Sequence, residues 1–172
     1  KTSFWAVEGK EKGVPGLVKM VVNSVNSGMN YYIKSDIKDF FTNINLTQVL
    51  KKISEDTQAE QDFTSLLEKI TKLELDNLDK IKKSNRHFFD FNNRGTPQGC
   101  SLSPLIANIY LYNFDCEMNS PDVHCYRYLD DILILAKSEK IANKYFIKAN
   151  SILRNLDLQL HDNNEQDKSK KG

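Results

Sequence analysis

Two adjacent aspartates lie between apolar segments in the second half of the chain. The stretch runs Tyr126-Arg127-Tyr128-Leu129-Asp130-Asp131-Ile132-Leu133-Ile134-Leu135. Its aromatic and β-branched flanks predict two short strands, with the acids in the turn of a hairpin. Taken alone, the pair is explained as an ordinary polar turn, because Asp is a common turn residue. In an apolar setting, carboxylates must be paired, hydrogen-bonded or bound to a metal, and oxygen-only ligands suit a hard cation such as Mg2+.

A third aspartate ends another predicted strand, the aromatic and β-branched stretch 30–37 that leads to Asp36. If that strand lies beside the hairpin, Asp36, Asp130 and Asp131 converge at one edge of the sheet. Clustered carboxylates repel one another unless cations neutralise them, and two Mg2+ ions about 3.5–4 Å apart would do so. Such a pair of ions activates an attacking oxygen and stabilises a leaving one, which is the chemistry of phosphoryl or nucleotidyl transfer.

The remaining sequence predicts the elements that position these acids. Apolar spacing and capping residues predict helices over about 15–27, 45–53, 58–73, 105–118 and 139–156. Asn45 is the predicted cap of the second helix, and Ser103 with Pro104 begins the fourth. The alternating stretch from His87 to Phe91 predicts a further strand. Strands that alternate with helices around a hairpin indicate an α+β fold, an antiparallel sheet with helices packed on one face.

Composition places the chain among ordinary globular domains. It has 172 residues, of which 40% are hydrophobic and 27% charged, enough for one domain with a core. No apolar run is long enough to span a bilayer, so we expect no membrane partner. The three cysteines form no Cys-x-x-Cys pair. We therefore expect reduced thiols in a cytoplasmic protein, with neither a zinc site nor a disulfide framework.

The charge balance bears on nucleic-acid binding. The net charge is +1, from 24 basic and 23 acidic residues, whereas autonomous nucleic-acid binders are usually more basic. Either the chain binds no nucleic acid, or its basic contacts lie on segments outside it. The start at Lys1, without a Met, leads us to expect a piece of a longer protein. The lysines at 80, 82 and 83 are interpreted as a solvated face.

Three motifs, in order along the chain, resemble the palm of a reverse transcriptase. The hairpin resembles the family's Tyr-x-Asp-Asp box, here Tyr128-Leu129-Asp130-Asp131. The strand end resembles the first-aspartate motif of bacterial and group II intron enzymes, here Asp36-Ile37-Lys38-Asp39-Phe40-Phe41. The third resembles the Pro-Gln-Gly box and its helix, here Gly95-Thr96-Pro97-Gln98-Gly99 and Ser103-Pro104-Leu105-Ile106-Ala107-Asn108-Ile109-Tyr110-Leu111. Each motif alone is a weak to moderate signal, whereas three in the right order are specific.

The resemblance implies the fold and extent of the domain. The expected fold is a polymerase palm with a ferredoxin-like core, and the match covers approximately residues 13–160. The chain 1–172 would then be a palm fragment without most of the fingers strands and the thumb, and 161–172 would be a mobile tail. Asp39 stands where group II intron enzymes usually have Gly, and Leu129 where they usually have Ala. Group II intron, retron, diversity-generating, CRISPR-linked and phage-defence subfamilies therefore all stay open.

The resemblance also implies a role for each matching residue. The expected catalytic residues are Asp36, Asp130 and Asp131. With the backbone carbonyl of Ile37 they would hold two Mg2+ ions, for which Mn2+ can substitute. The expected nucleotide-binding residues are Lys38, Asp39, Phe40, Phe41, Pro97, Gln98 and Gly99. Tyr128 and Leu129 are expected at the primer end.

Three of the matches have competing interpretations. Phe41 matches the aromatic residue that excludes a ribose 2′-hydroxyl, and the alternative is a core phenylalanine. Lys168 or Lys170 matches loosely the lysine that protonates pyrophosphate, but a solvated tail is the favoured interpretation. Asp115 matches an acid that follows the third motif's helix, and we expect it to be structural.

The activity implied by the resemblance is that of an RNA-directed DNA polymerase. Its partners would be an RNA template, a DNA or RNA primer and dNTPs, while the sequence leaves the oligomeric state open. Two alternatives stay open as well: an inert module that binds nucleic acid or a protein partner, and a defence enzyme that adds nucleotides without a template. We expect the isolated chain to be weakly active or inactive, because it would lack the segments that position substrate.

Overall fold

The computed structural model describes residues 13–57, 61–71, 78–89, 94–96 and 101–161. The chain forms two compact units, one of residues 1–40 and 111–172 and the other of residues 41–110. The elements of the first unit are α1 (Gly13–Asn26), β1 (Tyr31–Asp36), α6 (Tyr112–Glu117), β2 (Val123–Tyr128), β3 (Asp131–Ala136) and α7 (Glu139–Arg154). Those of the second are α3 (Leu46–Thr57), α4 (Gln61–Thr71), α5 (Ser103–Tyr110) and two 3-10 helices, Leu78–Lys80 and Lys83–Phe89. The short helix α2 (Phe40–Asn43) begins at the boundary between the units.

The first unit contains a three-stranded antiparallel sheet with the strand order β1-β3-β2. The hairpin predicted from the sequence is present, with β2 and β3 joined by Leu129 and Asp130. The predicted strand that ends at Asp36 is also present, and it lies beside β3. Mixed helices and an antiparallel sheet confirm the predicted α+β fold class.

Helices α1 and α7 pack on the sheet. Met29, Tyr126 and Leu135 form a buried cluster, against which the α1 side chains Leu17 and Met20 are packed. A buried polar contact adds to this packing, since the Ser24 hydroxyl lies 2.7 Å from both Nδ1 of His124 and the hydroxyl of Tyr126. Helix α7 contacts all three strands. The sheet is thereby anchored by apolar packing and by side-chain bonds that join distant parts of the chain.

Capping residues set the starts of two helices, one of which the sequence predicted. Asn45 Oδ1 accepts a hydrogen bond from the backbone N–H of Gln48, which confirms Asn45 as the cap of α3. Ser138 Oγ accepts one from Ile141 N at the start of α7. None of the helices in the described part of the chain combines the length and the apolar character needed to cross a membrane.

Two predicted elements differ from the structure. One lies within residues 41–110, and the other begins there and extends beyond residue 110. The strand predicted from His87 to Phe91 is wrong for its described residues, because Lys83–Phe89 is a 3-10 helix. Arg86 stabilises this local fold by donating to the carbonyls of Ile81 and Asp79, and the three strands of the sheet all belong to the other unit. The helix predicted over 105–118 begins at Ser103 and is interrupted at Leu111, which separates α5 from α6.

Candidate active site

The backbone of the sheet brings the three predicted aspartates together. Asp36, the last residue of β1, is the register partner of Asp131, the first residue of β3. The next residue, Ile37, donates its backbone N–H to the carbonyl of Asp130 at 3.0 Å. The ladder between two strands far apart in sequence thus fixes Asp36 beside the hairpin turn. The predicted neighbourhood of these strands is confirmed.

The electrostatics of Asp130 reflect this crowding. Burial raises the pKa of the Asp130 carboxyl above its ordinary value, and the negative charges of Asp131 and Asp36 raise it further. A hydrogen bond from its own backbone N–H opposes that shift. Because like charges disfavour ionisation of Asp130, a cation bound among these acids would be favoured by their charge.

Two cationic or potentially cationic side chains lie at the edges of the cluster, and the sequence did not single out either. Lys34 Nζ lies 3.6 Å from Asp131 Oδ1, with exposed fractions of 58% and 54% for the two side chains. His161 Nε2 lies 3.7 Å from Asp36 Oδ2, and the His161 N–H donates to the Asp36 carbonyl at 2.9 Å. Strand alternation puts Lys34 on the face of Asp36 and could have identified it. No local pattern marks His161, which reaches the site because Leu160 bridges to Ile37.

The donor set is compatible with a hard divalent cation, although the described residues include no group of three or more His, Cys, Asp or Glu side chains arranged to hold a metal ion. Asp36 at the end of β1 and Asp130 in the adjoining hairpin turn offer carboxylate oxygens, and oxygen ligands are those that Mg2+ prefers. The pKa of Asp130 is raised by its acidic neighbours, so a positive charge would relieve a repulsion already present. The oxygen chemistry and the charge of these side chains therefore suit a divalent cation, and the magnesium site itself stays a prediction.

A buried arginine lies next to the hairpin turn. Arg127 is 1% exposed, and its Nε and one terminal nitrogen donate to the two carboxylate oxygens of Asp115 at 2.8 and 2.6 Å. Its other terminal nitrogen donates to the backbone carbonyl of Leu129 at 2.9 Å. Leu129 has a φ of +59°, in the left-handed region. Asp115 thus has the structural role expected for it, while the part of Arg127 was not predicted.

The residues of the first-aspartate motif after Ile37 differ in burial. Lys38 and Asp39 are exposed, and Asp39 has a φ of +48°. Phe40 is in the core at 2% exposure, whereas Phe41 is half-buried and is the first residue of the second unit. Only one of the two adjacent phenylalanines is therefore fully buried.

The third motif is described only in part. Thr96 N donates to the Phe41 carbonyl at 2.9 Å, so the start of this motif is bonded to the end of the first within the second unit. Gly95 has a φ of +84°, and a Cβ there would lie 3.2 Å from the Thr42 carbonyl oxygen, which accounts for the glycine. The remaining predicted nucleotide-binding residues, Pro97, Gln98 and Gly99, lie outside the described residues, as do Lys168 and Lys170.

The two predicted primer-end residues flank the acids. Tyr128 ends β2 as the register partner of Asp131, and its side chain is 40% exposed. Leu129 is half-buried and forms the turn with Asp130. Tyr128 is therefore accessible on the hairpin that carries the acids, and the Leu129 backbone is the part of the turn that Arg127 contacts.

A strand end carrying one aspartate beside a hairpin carrying two is the arrangement expected from the resemblance to a reverse transcriptase palm. The sequence pattern of the family described as reverse transcriptase (RNA-dependent DNA polymerase) matches residues 9–169. The chain belongs to this reverse transcriptase family. No curated protein matches the sequence.

One solved structure supports the same fold. The chain is similar to apo telomerase from Candida tropicalis truncated from its C-terminal domain, with 14% identity and a TM-score of 0.51 over 87% of this chain and 32% of that one. Two structures of a Cas6-RT-Cas1–Cas2 complex, one of them partial, are each 20% identical over 88% of this chain, with TM-scores of 0.35. The match covers 26% of the chain in the partial complex and 16% of the chain in the other. The chain therefore spans about a third or less of the solved chains that it resembles.

Proposed function

We propose that this chain is the catalytic palm of an RNA-directed DNA polymerase that transfers nucleotides from dNTPs to a primer 3′-hydroxyl with two divalent ions. The observation that carries the proposal is the register of Asp36 with Asp131 beside the turn that holds Asp130. In a member of the reverse transcriptase family, this places the acids of two separate motifs at one point. The template would be RNA, and the primer DNA or RNA.

Each acid has a proposed role in that reaction. Asp36 and Asp130 bind the ions, with the carbonyl of Ile37 as a further oxygen, and Asp131 supports the site from the start of β3. Bound there, Mg2+ would neutralise charge on the phosphates and polarise the reacting oxygens. The chain itself holds the carboxylates in place, because Asp36 and Asp130 lie on backbone that the ladder fixes. Lys34 balances the charge of Asp131, at 3.6 Å.

The proposed substrate contacts follow the family motifs. Phe41 would exclude the 2′-hydroxyl of a ribonucleotide, and Gln98 would contact the incoming nucleotide. Tyr128 would lie against the primer end, which its exposure on the hairpin allows. The proposed subfamily is the bacterial, group II intron-like one, on the form of the first-aspartate motif. We place the protein in the cytoplasm on the basis of its few, unpaired cysteines.

Replacing Asp130 in the full-length protein tests the proposal. Asp130→Ala should abolish Mg2+-dependent extension of a DNA primer on an RNA template, because one ion ligand is lost. The matched control is Asp122→Ala, since Asp122 is an exposed aspartate paired with Lys137 at the far end of the same hairpin. Undiminished synthesis by Asp130→Ala would contradict the assignment. Reactions without template would identify template-independent addition instead.

The near-neutral charge favours one other function, that of an inert module that binds a protein partner or, with basic contacts supplied from outside this chain, nucleic acid. Filter binding of a primer–template at rising salt separates the two. Tight, salt-sensitive binding by the full-length protein with no incorporation of dNTPs would favour the inert module. Incorporation that requires both Mg2+ and Asp130 would exclude it.

A further inference from the structure

Arg127 makes one contact that a purely structural ion pair would not require. Its Nε and one terminal nitrogen donate to the two carboxylate oxygens of Asp115 in a bidentate arrangement. The other terminal nitrogen donates to the Leu129 carbonyl. Replacing a buried ion pair by apolar residues of similar volume is often neutral or stabilising. Apolar residues could therefore fill this space, but they could not donate a hydrogen bond to the turn.

The contacted carbonyl belongs to a demanding piece of backbone. Leu129 has a φ of +59°, a conformation that is uncommon for residues other than glycine and persists where the surroundings hold it. The Arg127 bond at 2.9 Å is such a restraint, since it fixes the direction of the Leu129 carbonyl. Arg127 is itself fixed by Asp115, so the restraint does not depend on a mobile side chain.

The Leu129 carbonyl is rigidly coupled to Asp130. A peptide group is planar, so the direction of the Leu129 carbonyl sets the direction of the Asp130 N–H. The same rigid peptide plane fixes the Asp130 Cα, from which the carboxylate-bearing side chain extends. On the other side, the Asp130 carbonyl accepts from Ile37 N. The backbone is thus held on both sides of Asp130, by β1 on one side and by Arg127 on the other.

We infer that Arg127 is a positioning residue for Asp130: held by Asp115, it fixes the Leu129–Asp130 peptide and through it the direction in which the Asp130 carboxylate points. The inference rests on the proposed function in that Asp130 is taken to bind the divalent ion. Loss of an interaction that orients a metal ligand typically weakens metal binding or activity by about 10–100-fold.

Two variants of the full-length protein separate positioning from simple stabilisation. Arg127→Lys keeps the charge but has no planar fork, so it cannot serve Asp115 and Leu129 together. The double variant Arg127→Met with Asp115→Leu removes both charges and fills the same space with apolar side chains. It therefore still tests the positioning role if Arg127→Lys fails to fold. Ser24→Ala is the control for destabilisation alone, because it removes a buried hydroxyl of α1 that contacts His124 and Tyr126.

Two measurements are made on each folded variant, Mn2+ binding by electron paramagnetic resonance without nucleotide, and the kcat and KM of primer extension. Asp130→Ala supplies the baseline of Mn2+ binding without the site. We expect both Arg127 variants to bind Mn2+ about tenfold more weakly and to lose about 10–100-fold in kcat. The KM for dNTP should change by less than about threefold, because the Arg127 side chain is buried, with 1% exposed. Ser24→Ala should change none of these quantities.

The outcomes separate the two proposals. Wild-type Mn2+ affinity and kcat in the folded double variant would overturn the positioning role of Arg127 and leave the polymerase proposal standing. Asp130-dependent Mn2+ binding without any primer extension would contradict the polymerase proposal, while the Mn2+ affinities of the variants would still decide the role of Arg127. Absence of Asp130-dependent Mn2+ binding in the wild-type protein would overturn both.

Discussion

Two groups of charged residues lie near the same hairpin and differ in how their charges are matched. Asp115 and Arg127 are buried together, and each carboxylate oxygen of Asp115 accepts a bond from the guanidinium group. Asp36, Asp130 and Asp131 lie where the end of β1 meets the hairpin turn, and the pKa of Asp130 is raised by burial and by the other two acids. The first group is internally neutral, whereas the second carries an excess of negative charge.

The comparison shows which part of each group is fixed by folding. The matched pair supplies its own countercharge, so its removal should affect stability first. The acids at the strand end are held by backbone bonds, with Ile37 N donating to Asp130, and their side chains contribute repulsion. A cluster that the backbone holds together against its own charge is suited to bind an external cation. The two groups should therefore respond to mutation in opposite ways.

The largest expected effect is the loss of activity in Asp36→Asn. Removing one charge from the acidic group should lower kcat for primer extension on the order of 10⁴-fold, the scale seen when one member of a catalytic unit is lost. The fold should be retained, because the β1–β3 ladder uses backbone groups of Asp36 and the lost charge relieves repulsion on Asp130. Steady-state primer extension and thermal unfolding of the full-length protein measure the two quantities.

Asp122→Asn serves as the control for Asp36→Asn, because it makes the same chemical change at an exposed aspartate of the same sheet. It should leave kcat within about twofold of the wild-type value, as expected for a surface position. If both variants kept full activity, the strand-end acids would not form the catalytic site.

The opposite response is expected for Asp115→Ala. This variant leaves Arg127 buried without its carboxylate, which should lower the free energy of unfolding by about 3–5 kcal/mol. Denaturant unfolding followed by circular dichroism of the full-length protein measures the change. The exposed pair Lys137–Asp122 provides the contrast, since Asp122→Ala should cost less than about 1 kcal/mol. Equal, small losses in both variants would show that the buried pair is not the stabilising one.

Local sequence patterns predicted one of these groups and not the other. The strand end at Asp36, the hairpin and the Asn45 cap depend on neighbouring residues, and the structure has all three. The contacts of Arg127 with Asp115 depend on how α6 packs beside β2, which no local pattern encodes. The resemblance identified Asp115 as structural without identifying its partner.

The errors have the same physical origin. The pattern from His87 to Phe91 predicted a strand, but a strand needs a neighbouring strand for its backbone hydrogen bonds, and the described strands all pair with one another in the other unit. Local bonds from Arg86 to two backbone carbonyls stabilise a 3-10 helix instead. No local pattern marks the break at Leu111, because Leu111 and Phe114 are both fully buried and the apolar spacing continues through the interruption.

The smallest expected effect concerns Lys34, whose pairing with Asp131 lies between the two extremes. Both side chains are more than half exposed, so Lys34→Met should change the free energy of unfolding by less than about 1 kcal/mol. Its ammonium group repels any cation at the acids, so its removal should tighten Mn2+ binding by less than about fivefold at physiological ionic strength. Lys137→Met, at the other end of the hairpin, should leave Mn2+ affinity unchanged. Weaker Mn2+ binding in Lys34→Met would mean that Lys34 helps to hold Asp131 in its binding geometry and does not merely compete with the ion.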